Sequence, residues 1–392
     1  MGEPAARERD GPMITEHPTV PSTRSARRLE RAAAATVDGG LEATLIGVGS
    51  DMRYLTGYAA MPLERLTLLV LRAGAAPFIV VPRLELGAAQ AGIRTDIEIR
   101  TWEETDDPYA LAVAGMSGAG RFAVSDTTLA MHLLRIQAAL GDRATYLPAS
   151  TVLRDLRMSK DDDEIALLRA AAHAADRVVA AIVGGSLVGR TEADVAREVR
   201  ERLIDEGHES AMFAIVASGP NSASPHHEAS ERIIQAGEPI VLDIGGTLGG
   251  YGSDITRTLW VTGGDDTKHP DRDFTDMFAV LFEAQGTATR AVRPGIACEV
   301  VDAAARSVID AAGHGPAFFH RTGHGIGLDG HEDPYIVAGN KTPLGVGMAF
   351  SIEPGIYYPG RYGARIEDIV VCGEDGPIVL NEAPRELAIV DG

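Results

Sequence analysis

The sequence predicts a two-domain protein, in which a smaller α/β domain precedes an α+β domain made of two pseudo-equivalent halves. Its 392 residues are enough for two domains with a large core. Three observations predict this organisation. Strand-like apolar runs alternate with helical segments in residues 24–157, and a long helix with an acidic first turn follows. Residues 158–392 then repeat a unit of two helices, strands and a pair of carboxylates.

The N-terminal domain is expected to begin after a disordered tail. Residues 1–23 are polar and proline-rich, which is typical of disorder, and they lack the apolar segment of a secretory signal. From Arg24 we predict a helix that stops at a Gly-Gly pair. Strands are predicted in ATLIGV, on both sides of a turn at Gly74, and in IEIRTW, RFAVSD and ATYLPA, with a helix in LAMHLLRIQAAL.

The long helix that follows marks the predicted domain boundary. Either Ser159 or Asp161 can cap its N-terminus, and the acidic residues of its first turn interact favourably with the helix dipole. The next helix begins with the capping pattern Thr191-x-x-Asp194 and ends at Gly207. A second pair of helices later in the chain repeats this unit, although few residues are identical.

The composition excludes several classes of partner. Lys and Arg total 36 against 56 Asp and Glu, a net charge of −20, which repels nucleic acids and anionic membranes. No apolar run is long enough to span a membrane. The two cysteines, Cys298 and Cys372, are too few for a disulfide scaffold and are expected to be buried thiols. They fit a reducing compartment, so a cytoplasmic protein is expected.

Two pairs of carboxylates in the second domain are predicted to face each other across β-hairpins. Asp243 and Asp254 are symmetric about a glycine-rich segment, and Glu353 and Glu367 are symmetric about Gly360. In an antiparallel hairpin such residues lie directly opposite each other, with Cβ atoms about 4.5–5.5 Å apart. Like charges so close destabilise a sheet unless cations neutralise them.

A histidine motif, RTGHGIGLDGHEDP, lies between the two pairs in the sequence. Four carboxylates and one imidazole suit a dinuclear site for hard or borderline ions such as Mn²⁺, Co²⁺ or Zn²⁺. Two such ions would lower the pKa of a bridging water and yield hydroxide near neutral pH. Our hypothesis is that two divalent ions are bound by five side chains: Asp243, Asp254, His324, Glu353 and Glu367.

With these motifs the chain resembles the metallopeptidases of the pita-bread fold, most closely their proline-specific branch of Xaa-Pro dipeptidases (prolidases) and Xaa-Pro aminopeptidases. The resemblance runs from Ser159 to the C-terminus, and the preceding domain is similar to the creatinase/prolidase N-terminal domain. The fold class it implies is α+β, with a pseudo-two-fold catalytic domain. The ligand roles it implies are one ion on Asp243, the other on His324 and Glu353, and bridging carboxylates at Asp254 and Glu367.

The resemblance also implies the roles of three further residues. His226, in a loop where a solvated surface would fit as well, would contact the substrate near the scissile bond. His331 would polarise the carbonyl, and Arg365 would support the site by a charge-assisted contact. The implied substrates are short proline-containing peptides, the most expected metal is Mn²⁺, and a homodimer would form through the N-terminal domain.

The expected reaction is hydrolysis of an Xaa-Pro bond. A metal-bridging hydroxide would attack the carbonyl carbon, His331 would stabilise the oxyanion, and Glu353 would pass a proton to the leaving nitrogen. Prolidases often carry an arginine after the His-Glu pair, suited to the free carboxylate of a dipeptide, whereas Tyr335 stands there in this chain. We favour a dipeptidase; an aminopeptidase stays open, as does a basic residue supplied from elsewhere.

Two other functions are compatible with the same fold. One is a metal-free C–N hydrolase of the creatinase type, and the other is a non-catalytic binding module. Both are expected to have lost metal ligands, whereas all five are present in this sequence. The metal content of the untreated protein separates these alternatives from the peptidase.

Overall fold

In the computed structural model, residues 21–391 are described, and they divide into two units, 21–160 and 161–391. The first twenty residues of the predicted tail lie outside the described part. The first helix begins at Ser22, so the last two residues predicted as tail are helical instead. Within residues 21–391, no helix combines the length and the apolar character needed to cross a bilayer.

The first unit contains a six-stranded mixed sheet and six helices. Its strands are β1 Ala43–Ile46, β2 Leu68–Arg72, β3 Phe78–Pro82, β4 Glu98–Trp102, β5 Arg121–Val124 and β6 Thr145–Pro148. Its helices are α1 Ser22–Asp38, α2 Ser50–Thr56, α3 Leu86–Gly92, α4 Pro108–Val113, α5 Ala130–Leu140 and α6 Ser150–Met158. The strand order is β4-β3-β2-β1-β5-β6, with β1 antiparallel to β2 and parallel to β5. The predicted α/β domain is confirmed.

Four short helices of this unit, α2, α3, α4 and α6, were not predicted. They are 7, 7, 6 and 9 residues long, which is too short for an amphipathic period to be recognised in the sequence. Of these four, α4 alone has a side-chain cap. Asp107 accepts hydrogen bonds from the backbone N–H groups of Tyr109 and Ala110, and Pro108 occupies the first helical position.

The second unit contains four long helices and twelve strands. The helices are α7 Asp162–Val183, α8 Glu192–Asp205, α9 Arg272–Ala291 and α10 Cys298–Ala311. The strands before α9 are β7 Ser210–Ser218, β8 Glu238–Leu248, β9 Tyr251–Gly252 and β10 Ile255–Val261. Those after α10 are β11 Gly323–Gly325, β12 Glu332–Ile336, β13 Ala349–Ile352, β14 Gly355–Tyr358, β15 Tyr362–Arg365, β16 Asp368–Cys372, β17 Pro377–Val379 and β18 Ala388–Val390.

The two helix caps predicted in this unit are formed. Asp161, rather than Ser159, caps α7, and with Glu164 it makes a reciprocal capping box. Thr191 caps α8 by accepting a hydrogen bond from the backbone of Asp194 at 3.0 Å. Each cap satisfies a backbone N–H that has no partner within the helix.

The predicted repeat of helices and strands is present in this unit. The first pair, α7 and α8, is followed by a sheet of order β18-β10-β8-β7, to which β9 is added. The second pair, α9 and α10, is followed by a sheet of order β12-β11-β13-β16-β17. Val199 and Leu203 of α8 share one buried cluster with Leu242 and Ile244 of β8, so the apolar stripe of the helix packs on its sheet.

The β8–β10 hairpin turns at Gly249–Gly250, and its register differs from the predicted one. Both glycines have positive φ angles, as a two-residue hairpin turn requires. This turn pairs Asp243 with Thr256, so Asp254 lies diagonal to Asp243. The prediction that the two aspartates lie directly opposite each other was wrong. The offset is two residues, however, and a shift of two keeps both side chains on one face.

The second hairpin has the predicted register. β13 pairs with β16, and β14 pairs with β15, in one continuous alignment that places Glu353 opposite Glu367. The turn lies between Tyr358 and Tyr362, and Gly360 within it has a φ angle of 77°. A glycine is favoured there because this conformation costs other residues free energy.

Candidate metal centre

All eight residues predicted to form the site line one cavity of about 1050 Å³ in the second unit. Asp243 lies on β8, Asp254 precedes β10, and His324 lies on β11. Glu353 follows β13 and Glu367 precedes β16. The remaining three are His226, His331 and Arg365. Strands from both halves of the repeat therefore bring their carboxylates to the same place.

Three of the predicted ligands form a tight cluster. Each residue of this cluster offers one ligand atom, and these atoms all lie within 4.8 Å of one another. The residues are Asp254, His324 and Glu367, and all three are buried. Glu353 adjoins them, with its Oε1 3.4 Å from the Nε2 atom of His324. Distances of this size suit side chains that share an ion, since metal–ligand bonds to O and N are about 2.0–2.2 Å long.

The protonation of His324 indicates that a cation belongs beside it. Its Nδ1 lies 3.1 Å from the carbonyl oxygen of Gly325, to which it donates. Burial lowers its pKa to about 3, so the ring is neutral and Nε2 carries a lone pair. That lone pair lies 3.7 Å from a carboxylate oxygen of Asp254 and 3.4 Å from one of Glu353. Either a metal ion or a carboxyl proton must lie between such lone pairs, and a metal ion would serve all three groups at once.

The carboxylates themselves are held in a place that disfavours their charged forms. Burial, and then the charge of Asp243, raise the pKa of Asp254 well above its usual range. Burial, and then the charge of Asp254, do the same for Glu367. Burial raises the pKa of Glu353 to about 7. Such sites favour divalent cations, which restore the charged forms.

Asp243 supplies the clearest test of whether a metal fits. Its Oδ2 accepts a hydrogen bond from Arg365 at 2.5 Å, whereas its buried Oδ1 has no hydrogen-bond partner among residues 21–391. An unsatisfied buried carboxylate oxygen is costly, and a metal ion would satisfy it. Together with the lone pair of His324, this atom shows that the residues fit a bound metal.

Arg365 connects several parts of the site. It donates to Asp243, to the hydroxyl of Tyr357 at 2.8 Å and to that of Thr256 at 3.1 Å. Thr256 in turn donates to Glu367 at 2.7 Å. Thr256 was missed in the sequence, because Arg257 and Thr258 beside it are also polar, so no period of two marks it as facing the site. No pattern in the sequence marks Tyr357 as part of the site either.

His226 lines the cavity from a loop that is anchored by Glu192, a residue that sequence reasoning missed. Glu192 is 0% exposed and lies at the start of α8. Its carboxylate accepts hydrogen bonds from four residues around His226: Ser218, Asn221, His227 and Ser230. Burial acts to raise its pKa, but these bonds outweigh burial and lower the pKa to about 2. Nothing in the sequence separates Glu192 from an ordinary acidic residue of a first helical turn.

His331 lies against His324, with the two rings stacked and their centroids 3.7 Å apart. Its Nδ1 is 3.1 Å from the guanidinium of Arg321. Arginine has only donors, so Nδ1 accepts, and the neutral ring carries its proton on Nε2. Burial and the charge of Arg321 lower the pKa of His331 and favour this neutral form. Arg321 was not predicted to belong to the site, although it is the first residue of the histidine motif RTGHGIGLDGHEDP.

Comparisons with known proteins agree with this geometry. The model of Metallopeptidase family M24 matches residues 166–374, and that of the Creatinase/Prolidase N-terminal domain matches residues 28–159. A probable dipeptidase PepE of Mycobacterium tuberculosis is 50% identical over 371 residues, 93% of this chain and 96% of that protein. An Xaa-Pro dipeptidase of Pyrococcus horikoshii is 32% identical over 348 residues, 88% and 94% of the two chains. The crystal structure of dipeptidase PepE from Mycobacterium ulcerans superposes with a TM-score of 0.87 at 48% identity, covering 95% of this chain and 99% of that one.

Proposed function

This chain belongs to metallopeptidase family M24, and from that premise we propose that it is an Xaa-Pro dipeptidase that uses two divalent metal ions. Membership makes it a peptidase of a metal-dependent family with the pita-bread fold. The observation that carries the proposal is the position of His324. Its neutral Nε2 atom faces two carboxyl groups at 3.4 and 3.7 Å, an arrangement that suits a shared metal ion.

Two ions rather than one are supported by the number and spread of the donors. Asp254, His324 and Glu367 form one tight group, and Asp243 adds a buried oxygen for which the described part of the chain offers no hydrogen-bond partner. Four carboxylates and one imidazole suit Mn²⁺ best, with Co²⁺ or Zn²⁺ as alternatives. When bound, two such ions supply Lewis acidity and a hydroxide near neutral pH.

The residues around the ligands supply the remaining chemistry. His331 donates from Nε2 to the scissile carbonyl oxygen, where negative charge develops. Glu353 holds the proton of the attacking water and passes it to the proline nitrogen, acting as base and then acid. That nitrogen must be protonated to leave. Arg365 keeps Asp243 in place through their ion pair, and His226 contacts the substrate from its anchored loop.

A dipeptide substrate is supported by the names of similar proteins, which include dipeptidases and Xaa-Pro dipeptidases. An Xaa-Pro aminopeptidase is the second candidate, because Tyr335 stands where prolidases often carry an arginine. We also propose a homodimer formed through the first unit. Three apolar side chains in or just before the first half of α5 are exposed, which supports such a contact: Leu129, Met131 and Leu134.

The test is an assay of Ala-Pro, Ala-Pro-Ala and Ala-Ala with protein that has been stripped of metal and reloaded with Mn²⁺, Co²⁺ or Zn²⁺. We expect hydrolysis of Ala-Pro in preference to the other two peptides, and about two metal ions per chain. Preference for Ala-Pro-Ala would favour the aminopeptidase. No hydrolysis of either proline peptide with any of the three ions would contradict the proposal, and absence of bound metal under all conditions would favour the creatinase-like or non-catalytic alternatives.

A further inference from the structure

We infer that Arg321 binds the C-terminal carboxylate of the substrate and thereby selects dipeptides over longer peptides. The inference rests on the proposed function. A dipeptide brings its negative charge close to the scissile bond, into a cavity that is already lined by acidic side chains. A cation is needed there, and the sequence does not supply it at position 335, where Tyr335 stands.

Arg321 lies in the cavity beside the residue expected to contact the scissile carbonyl. It immediately precedes the segment that leads into β11 and lines the cavity together with His331. Its Nη2 lies 3.1 Å from Nδ1 of His331. Within residues 21–391 no carboxylate forms an ion pair with Arg321, and its guanidinium makes no other hydrogen bond. Most of its five N–H donors are therefore available to an anion.

Tyr335 holds this guanidinium in place. The Cζ atom of Arg321 lies 4.5 Å from the centroid of the Tyr335 ring, a cation–π contact. A guanidinium that packs on an aromatic ring loses fewer conformations when it binds a carboxylate, and its planar edge remains open to two parallel hydrogen bonds. The tyrosine at position 335 thus supports an arginine that comes from another segment.

The other two arginines of the cavity are less suited to this role. Arg365 is buried and already donates to Asp243, to Tyr357 and to the carbonyl of Pro225. Arg200 is exposed on α8, and no hydrogen bond joins it to His331 within residues 21–391.

The position of Arg321 agrees with a dipeptide. The carboxylate carbon of a dipeptide is three bonds from the scissile carbonyl carbon, and bond angles hold the two atoms within about 4 Å of each other. A group that binds this carboxylate must therefore lie next to the group that binds the carbonyl oxygen, and Arg321 contacts His331 at 3.1 Å. In a longer peptide an amide replaces the carboxylate at this place, and the guanidinium loses its charged partner.

The experiment compares Ala-Pro with its C-terminal amide, Ala-Pro-NH2, as substrates of four proteins. These are the wild type, Arg321→Gln, Arg321→Lys and the control Arg200→Gln, which removes another cavity arginine. Charge-assisted hydrogen bonds are worth about 10- to 100-fold in binding. We expect Arg321→Gln to raise KM for Ala-Pro by about that factor and to leave KM for the amide nearly unchanged. Arg321→Lys should lie between, and Arg200→Gln should resemble the wild type.

Equal changes for the acid and the amide, or a fall in kcat alone, would overturn the inference, because they would mean that Arg321 only positions His331. If the wild type hydrolyses neither compound, the proposed function fails, and binding still tests Arg321. Isothermal titration of both compounds into metal-free protein should then show tighter binding of the acid by the wild type and loss of that preference in Arg321→Gln. Equal binding of acid and amide by the wild type would overturn the inference.

Discussion

Arg365 and Asp243 form a buried ion pair inside the acidic cluster, with Nη2 2.5 Å from Oδ2. The guanidinium offsets part of the charge of the surrounding carboxylates. We therefore expect Arg365→Met to lower the free energy of unfolding of the metal-free protein by about 3–5 kcal/mol. With Mn²⁺ bound the loss should be smaller, since the ions compensate the same charges. Denaturant unfolding with chelator and with excess Mn²⁺ measures both values.

Arg306→Met is the control for that experiment. Arg306 pairs with buried Asp302 at 2.9 Å, and neither residue lines the cavity. Its loss should therefore cost the same with and without metal. If Arg365→Met also behaved identically in both conditions, the arginine would have no electrostatic link to the ions.

Asp254→Asn should abolish metal loading and peptide hydrolysis together. Asp254 belongs to the tight cluster with His324 and Glu367, and an amide oxygen cannot supply the negative charge that the ions require. Elemental analysis of the protein by mass spectrometry gives the metal content per chain. Glu228→Gln, which removes an exposed acid of the same cavity, should keep both properties. Full metal content in Asp254→Asn would contradict a bridging role.

The stability of the metal-free protein should fall as pH rises through the range set by Glu353. Its carboxyl has a pKa near 4.5 when unfolded and about 7 when folded, chiefly because of burial. Between those values the folded state keeps a proton that the unfolded state has lost, so folding weakens by about 3 kcal/mol in total as pH rises.

Glu353→Gln isolates this effect, because glutamine does not titrate. The unfolding free energies of wild type and variant are measured with chelator from pH 4 to pH 8. The value for the wild type should fall relative to that of the variant as pH rises. A difference that does not vary with pH would contradict the raised pKa.

The two carboxylate pairs could be placed from sequence because each lies on one hairpin, while their role as metal ligands stays a proposal. Glu353 and Glu367 lie on one hairpin whose register is fixed by the turn at Gly360, and that register is visible in the spacing. The predicted register of Asp243 and Asp254 was wrong by two residues because the turn is formed by Gly249 and Gly250, which both adopt positive φ angles, and not by Leu248 and Gly249. Both carboxylates still lie on one face of the sheet, because side chains alternate between the two faces with a period of two.

The residues that support the site were harder to predict because their contacts join distant segments. Glu192 binds a loop more than twenty residues away, and Tyr357 reaches Arg365 through side chains alone. Neither contact leaves a periodic pattern. Arg321 was visible inside the histidine motif, but its relation to Tyr335 depends on how β11 and β12 pair.

The proposed homodimer predicts that a charge on α5 will separate the subunits. Leu134 is 64% exposed on this helix, and a buried unpaired carboxylate is costly at an apolar interface. We expect Leu134→Glu to shift the protein from dimer to monomer in light scattering coupled to gel filtration. Leu84→Glu, at a comparably exposed residue of the same unit, should remain dimeric. A wild type that is already monomeric would contradict the proposal.

Glu192→Gln should reduce activity without reducing metal content. Its carboxylate holds the loop that carries His226 by accepting hydrogen bonds from both sides of it, including one of 2.7 Å from His227. A glutamine amide offers one acceptor oxygen and presents N–H groups to the remaining donors. We therefore expect kcat/KM to fall, while metal content stays at the wild-type level. Glu198→Gln is the control on the same helix, since this half-buried acid pairs with Arg190 and Arg202 instead of with the loop.

The stability difference between wild type and Glu192→Gln should depend on pH. The pKa of Glu192 is about 2 in the folded protein against 4.5 when unfolded, so its contribution of about 3 kcal/mol is present above pH 4.5 and is lost as pH falls towards 2. Wild type should therefore exceed Glu192→Gln in stability at pH 7, and the difference should shrink on acidification. Equal stability of the two proteins at pH 7 would mean that the loop is held in place by other contacts, and the fall in activity would then need another cause.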